Sequence, residues 1–266
     1  MSEHVHVSSA GGVLEIVIDK PKANAIDMKV SRALGQAFVT LRDDPELKVG
    51  IITGAGERIF CAGWDLKAVQ AGEMSMDRWW EDDYGPGGFG GITELWNLNK
   101  PVIAALNGVA LGGGVEIALA CDLIIAAEHV ELGLPEMPLG IVPDAGAIQR
   151  LPRRLPYAKA VEMLMLGERM GAAEAARYGL VNLVVPKDEL MPRARAWAAR
   201  LAGVTPLALQ SIKELLRAIE GDTVQQAFQT MRTADLPLYR KLLRSDDAME
   251  GVSAFVQKRK ADFKGT

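Results

Sequence analysis

The chain has 266 residues, 49% hydrophobic and 24% charged, with 30 Lys and Arg against 34 Asp and Glu for a formal net charge of −4. Such a composition is that of a globular protein and excludes a disordered, collagen-like or coiled-coil chain; a core of this size needs no staple. The balance of charge argues against a nucleic-acid partner, which wants a basic surface, and two cysteines, Cys61 and Cys121, are too few for a disulfide framework and fit a reducing, cytoplasmic compartment.

The first six residues have no cationic flank and no apolar run, so no signal peptide is expected. Residues 13–18 are apolar apart from one Glu and read as a strand. A helix follows over 29–42, with Val30, Leu34, Ala37, Phe38 and Leu41 on one face and Asp27 as its N-cap. The short β-rich apolar runs 49–53, 102–106, 123–127 and 181–185 read as buried strands with helical patterns between them. That alternation predicts an α/β core with parallel pairing. The apolar stretch 102–127 is long enough for a membrane span, but Asn107, three consecutive glycines, Glu116 and Asp122 interrupt it. Two acids in mid-bilayer are costly, so this stretch is expected as buried core, with no membrane partner.

From about residue 189 the pattern becomes Ala- and Leu-rich helix, over 190–201, 206–219, 223–243 and 246–260. This divides the chain into a core, 1–188, and a helical C-terminal region, 189–266, expected to serve oligomerisation. The segment 72–91 stands apart. It is rich in glycine, carries Trp79, Trp80, Tyr84 and Phe89 beside Glu81-Asp82-Asp83, and has the size of a functional loop or lid.

Three stretches can carry chemistry. In residues 107–116 a strand runs through Gly112-Gly113-Gly114 into an apolar helical pattern. Such a helix start offers backbone N–H groups without internal partners, and glycine lets a ligand oxygen approach them; a tight crossing packed by glycine is the alternative. Glu116 falls in the first turn of that helix, either as an acid for the helix dipole or as a buried acid with a task. Glu136 also sits among apolar residues, and Asp144 follows in Pro143-Asp144-Ala145-Gly146, where a turn or cap use is equally open. Two carboxyls in apolar surroundings suggest general acid–base work. Residues 61–66, Cys-Ala-Gly-Trp-Asp-Leu, could bring a second N–H and complete an oxyanion hole. No Ser–His or Cys–His triad, metal-ligand spacing or phosphate loop is visible.

Taken in order, the blocks 21–27, 51–57, 62–66, 100–122, 135–151 and 251–264 resemble the enoyl-CoA hydratase/isomerase (crotonase) superfamily over nearly the whole chain. The resemblance implies an α/β superhelix of ββα turns with a helical C-terminal region, acyl-CoA thioester substrates, and homotrimers that commonly pair into hexamers. No separate cofactor is implied, because coenzyme A enters with the substrate. By position, Ala62 and Gly113 match the oxyanion-hole donors, and Glu116 and Glu136 match the acid pair. Lys22, Ala23 and Ala25 match one loop along CoA, and Ala62, Gly63, Trp64, Asp65 and Leu66 match the other. Phe255 and Lys258 match C-terminal residues that touch CoA, often across a subunit boundary.

Residues 21–27, 62–68, 83–89 and 139–144 are most similar to the carnitinyl-CoA dehydratase branch, which interconverts crotonobetainyl-CoA and carnitinyl-CoA. Asp144, where most hydratases have glycine, is matched by a Pro-Asp in that branch. A general enoyl-CoA hydratase or isomerase is the nearest alternative. A catalytically silent acyl-CoA binder or an RNA-binding relative is more remote: both acids are retained, and no long basic arm exists. The quaternary ammonium of carnitine would suit the rings of Trp64 and of 72–91, with Asp144 or a loop acid supplying charge; such rings could equally cover an aliphatic chain.

Overall fold

The computed structural model describes residues 3–265. Six strands form the larger sheet: β1 (Val5–Ala10), β2 (Val13–Ile18), β3 (Val49–Gly54), β5 (Val102–Leu106), β7 (Leu123–Ala127) and β10 (Leu183–Val185), hydrogen-bonded in the order β1-β2-β3-β5-β7-β10. Four short strands form the smaller: β4 (Ile59–Cys61), β6 (Val109–Leu111), β8 (Glu131–Gly133) and β9 (Met170–Gly171), in the order β4-β6-β8-β9. The expected parallel pairing holds through the middle of both sheets. It fails at β1/β2 and β8/β9, which are antiparallel, so both sheets are mixed. β1 begins at Val5 and hairpins back through Gly11 and Gly12, both at positive φ.

Every residue of β3 and β5 is buried, as befits parallel strands covered on both faces. Helix α1 (Met28–Asp43) packs on β1, β2 and β3. Its expected apolar face is buried throughout, and Asp27 caps it by accepting the Val30 N–H at 2.8 Å. Helix α7 (Leu190–Ala202) packs on β2, β3, β5 and β7 through Leu190, Ala194 and Ala198.

The chain visits the two sheets alternately: β3 then β4, β5 then β6, β7 then β8. This repetition positions the site. Because β4, β6 and β8 are adjacent and parallel, the segments that leave their C-terminal ends emerge side by side. Those segments are 62–66, 112–116 and 134–136. The apolar stretch 102–127 resolves into β5, β6, helix α3 (Gly113–Ala120) and β7, and among the described residues no helix is long and apolar enough to cross a membrane.

Short helices α2 (Leu66–Gln70), α4 (Ala147–Arg154), α5 (Tyr157–Leu166) and α6 (Ala172–Arg177) complete the first part of the chain. Beyond α7 come α8 (Pro206–Ala218), α9 (Val224–Thr233), α10 (Pro237–Leu242) and α11 (Asp246–Val256). The helix expected over 223–243 is therefore two. Pro237 starts the second, and Leu236 before it leaves helical geometry at φ −124°, ψ 77°, as the residue preceding proline is driven to do. The last helix stops at Val256, short of residue 260, and Lys258 takes a positive φ.

Candidate active site

The loops after β4 and β6 touch at glycines. Gly63 lies at φ +85°, and a Cβ on it would stand 2.6 Å from the Gly113 nitrogen and 2.8 Å from the Leu111 oxygen, so only glycine fits. Residue 64 forms a parallel bridge with Ile26: the Ile26 N–H donates to Gly63 O at 2.8 Å, and the Asp65 N–H donates to Ile26 O at 2.9 Å. In such a bridge the N–H of the middle residue points to the opposite side. The Trp64 N–H accordingly makes no hydrogen bond among the described residues, and neither does that of Gly113, the first residue of α3. Ala62, expected as a donor, is not available: its N–H donates to Ala23 O at 3.0 Å. The unengaged N–H lies two residues further on, at Trp64.

The two acids lie on the same cavity, of about 320 Å³, together with Trp64 and Gly113. Helix α3 is buried nearly all round, which carries Glu116 into the interior. Its Oε1 accepts the N–H of Ala147, the first residue of α4, at 3.0 Å. Burial pushes the Glu116 carboxyl up to about 8; the Ala147 N–H opposes this, the Glu136 and Asp144 charges add to it, and Arg150 opposes it. Glu136 leaves the end of β8 with its Oε1 against Gly112, where a side chain would overlap it, and its buried Oε2 makes no hydrogen bond among the described residues. Burial pushes this carboxyl up to about 7, with Asp144 adding. Both groups thus exchange protons near neutrality, unlike an exposed glutamate.

The loop 21–27 is tied to this frame by two side chains that sequence reading passed over. Lys20 Nζ bridges Asp27 and Asp65 at 2.6 Å each, and Asn24 Nδ2 donates to the Ile59 and Phe60 carbonyls at 3.0 and 3.2 Å. Asp65 also caps α2, accepting from Lys67 N at 3.0 Å. Lys22 is exposed, while Ala23 and Ala25 are half-buried, and none of the three lines the cavity; Trp64 and Leu66 do. Phe255, near the end of α11, and Lys258, just beyond it, are exposed and do not line the cavity of their own chain.

The glycine-rich loop closes the cavity with Met76, Trp79, Trp80 and Phe89. Its rings form a ladder with centroids 6.0 Å apart for Trp79–Tyr84 and 5.9 Å for Tyr84–Phe89, and Tyr84 and Phe89 are buried in the core. The loop acids do not line the cavity. Asp82 accepts the Ser75 N–H, Asp83 pairs with Arg32 and Glu81 faces Arg78. Asp144 is the additional acid on the cavity, and Trp79 Nε1 donates to its Oδ2 at 2.9 Å. Both cysteines are buried with thiols pushed up to about 12, too high for a nucleophile. Among the described residues no group of three or more His, Cys, Asp or Glu side chains is placed to share a metal ion.

Residues 8–266 match the family model described as enoyl-CoA hydratase/isomerase. A carnitinyl-CoA dehydratase from Proteus mirabilis (strain HI4320) is 52% identical over 265 residues, with 100% of both chains covered. One from Salmonella typhi is 51% identical over 265 residues, with the same coverage. Among solved structures, an enoyl-CoA hydratase from Mycobacterium tuberculosis H37Rv superposes with a TM-score of 0.89 at 37% identity, covering 100% of both chains. One from Bacillus anthracis gives 0.88 at 33% identity, covering 99% of this chain and 100% of that one.

Proposed function

The chain belongs to the enoyl-CoA hydratase/isomerase family, and on that footing we propose that it is a hydro-lyase that adds or removes water across the 2,3 double bond of an acyl-CoA thioester, interconverting crotonobetainyl-CoA and carnitinyl-CoA. The observation that carries the chemistry is the pair of buried carboxyls, Glu116 and Glu136, on one cavity with the unengaged N–H groups of Trp64 and Gly113. The choice of acyl group draws on the full-length similarity to carnitinyl-CoA dehydratases.

The thioester oxygen sits on the Trp64 and Gly113 N–H groups. Negative charge grows on that oxygen as the enolate forms, so these fixed donors act more strongly on the transition state than on the ground state. Glu116, held by the Ala147 N–H, takes a proton from water, and the resulting hydroxyl adds to C3. Glu136 delivers a proton to C2. Dehydration runs the same steps backward. Two mutually repelling carboxyls in a poorly solvated cavity favour a singly charged pair. Hydration starts from the state with Glu116 ionised and Glu136 protonated; deeper burial makes Glu116 hold the shared proton more tightly, about 8 against about 7, so this is the less populated of the two singly protonated arrangements of the pair.

Coenzyme A is bound as part of the substrate, along Lys22, Ala23 and Ala25 on one side and Gly63, Asp65 and Leu66 on the other. Phe255 is 85% exposed, and Met249, Val252 and Val256 of the same helix are exposed as well. Such an apolar face is costly to leave in water and fits burial against a second copy. In a homotrimer or hexamer Phe255 and Lys258 would then serve a neighbour's CoA. A cytoplasmic location belongs to the same reading, both cysteines being free.

Comparing kcat/KM for crotonyl-CoA, crotonobetainyl-CoA and carnitinyl-CoA tests the reading. A clear preference for the two trimethylammonio substrates is the expected result. Preference for crotonyl-CoA would transfer the assignment to a general enoyl-CoA hydratase, and turnover of 3-enoyl-CoA alone to an isomerase.

A further inference from the structure

Among the described residues the cavity is lined by three acids, Glu116, Glu136 and Asp144, and by no lysine, arginine or histidine. The proposed reaction needs two of those acids. An uncharged acyl chain gains nothing from the third, and Asp144 makes both catalytic carboxyls harder to ionise. The position of Asp144 is informative. It lies three residues before Ala147, whose N–H holds Glu116, so it stands on the segment that borders the water-adding acid. In crotonobetainyl-CoA the carbon attacked by water is followed by one methylene and then by the quaternary nitrogen. A charge recognised by the protein must therefore be met close to Glu116.

The rings beside Asp144 have the right form. Trp79 and Trp80 both line the cavity and meet edge to face, with centroids 6.2 Å apart and planes at 81°. Trp80 is 63% exposed, an unusual placement for a side chain whose role is only to fill a core. Trp79 Nε1 holds Asp144 Oδ2 at 2.9 Å, which fixes the carboxylate and satisfies one of its oxygens. Glu81, Asp82 and Asp83 of the loop do not line the cavity; Asp82 accepts the Ser75 N–H, Asp83 pairs with Arg32 and Glu81 faces Arg78.

We propose that Trp79, Trp80 and Asp144 form the site for the quaternary ammonium group of the substrate, with the Trp79 N–H positioning Asp144. The proposal rests on the carnitinyl-CoA reading for its ligand but not for its test. Indole faces attract a cation through their quadrupole, and trimethylammonium, which donates no hydrogen bond, is recognised by such faces and by a nearby anion rather than by a salt-bridge fork. Asp144 adds the counter-charge that the aromatic rings lack.

The test is a binding measurement that requires no turnover. Calorimetry on the full-length protein compares the saturated thioester 4-trimethylammoniobutyryl-CoA with its isostere carrying tert-butyl in place of trimethylammonium. A partly desolvated cation–π contact corresponds to about two- to thirty-fold in affinity, and the carboxylate should bring the wild-type preference for the cation to about ten-fold or more. Asp144→Asn should remove most of that preference. Trp80→Leu should lower it severalfold. Trp79→Phe, which keeps a ring and deletes the N–H, should lower it by about two- to five-fold. A loop that merely loosened would weaken both ligands alike and leave their ratio unchanged, so the ratio is the diagnostic quantity. Equal affinity of the wild-type protein for cation and isostere overturns the site, and an unchanged ratio in Trp79→Phe overturns the positioning role. Failure to hydrate crotonobetainyl-CoA while the cation is still preferred would overturn the proposed reaction and leave the ammonium site standing.

Discussion

Substituting Gly63 by Ala perturbs the assumed oxyanion hole without touching a catalytic side chain. The added Cβ would lie 2.6 Å from the Gly113 nitrogen and 2.8 Å from the Leu111 oxygen, both backbone atoms that no rotamer change can move away. Ordinary contact needs about 3.5 Å, so the loops after β4 and β6 must part by roughly 0.7–0.9 Å. The N–H groups of Trp64 and Gly113 flank that contact, and a displacement of this size should forfeit about one donor's worth of oxyanion stabilisation. The expected loss in kcat is about 10²–10³-fold. Independently, a side chain at φ +85° should cost about 1–3 kcal/mol of stability. The two effects are separated by Gly179→Ala, at φ +81° with nothing within 4 Å of its Cβ. That control should lose comparable stability and keep its kcat. Loss of the enoyl-thioester absorbance reports turnover, and thermal unfolding reports stability. A folded Gly63→Ala enzyme with wild-type kcat would show that the contact between these loops does not set the donors and would refute the reasoning.

The remaining expectations concern the acids. Glu136→Gln and Glu116→Gln should each lower kcat by about 10²–10⁴-fold while substrate still binds, the range for loss of a general acid or base; near wild-type turnover in either would remove that residue from the mechanism. The pair is raised to about 7 and about 8, so kcat/KM should follow a bell with its maximum between these values. Its acid limb reports neutralisation of the base and its alkaline limb loss of the acid's proton; the two values belong to the pair rather than to either residue. A profile flat from pH 6 to about 9 would refute the pairing. The same shift bears on stability. The folded-state value for Glu116 lies above the unfolded 4.5, so between about 4.5 and 8 the folded chain retains a proton that the unfolded chain has released. Stability from the neutral carboxyl is complete below 4.5 and is lost as pH rises toward 8. Glu116→Gln stays neutral and should therefore gain on the wild type by about 2–4 kcal/mol between pH 5 and pH 8, measured by denaturant unfolding; a gain independent of pH would refute the burial argument.

Helix α1 and strands β2, β3, β5 and β7 were legible in the sequence because each carries a clear period or an unbroken apolar run and packs on the large sheet. The small sheet was not. Its strands are two or three residues long, below the length at which alternation can be counted, and they exist because β3, β5 and β7 deliver the chain to neighbouring positions. β1 was missed for a different reason. Its Val–His–Val alternation is edge-like and half-exposed, and the antiparallel pairing depends on the Gly11-Gly12 turn. The break at Pro237 was written in the sequence, and a continuous helix over 223–243 overlooked the constraint that proline places on the residue before it.

At the site, the acids were readable because a charge inside an apolar run must be either stabilised or used. Glu116 and Glu136 have few bonds to stabilise them, one N–H for the first and an unpaired oxygen for the second. The unengaged N–H of the loop after β4 was readable only to within two residues. Ala62, Gly63 and Trp64 all carry an N–H, and nothing in their order says which one faces the cavity. That is decided by the loop 21–27, which takes the Ala62 N–H and the Gly63 carbonyl for its own pairing and leaves the next amide turned the other way. Lys20 and Asn24 hold that loop in register, so residues that do not line the cavity decide which amide is left unengaged. The loop acids make the same point. Glu81, Asp82 and Asp83 carry more charge in sequence than Asp144, yet they find partners at Arg78, the Ser75 N–H and Arg32, and of these four acids it is Asp144, held by an indole N–H, that lines the cavity. Composition proposes which groups can act, and the hydrogen bonds of their neighbours choose among them.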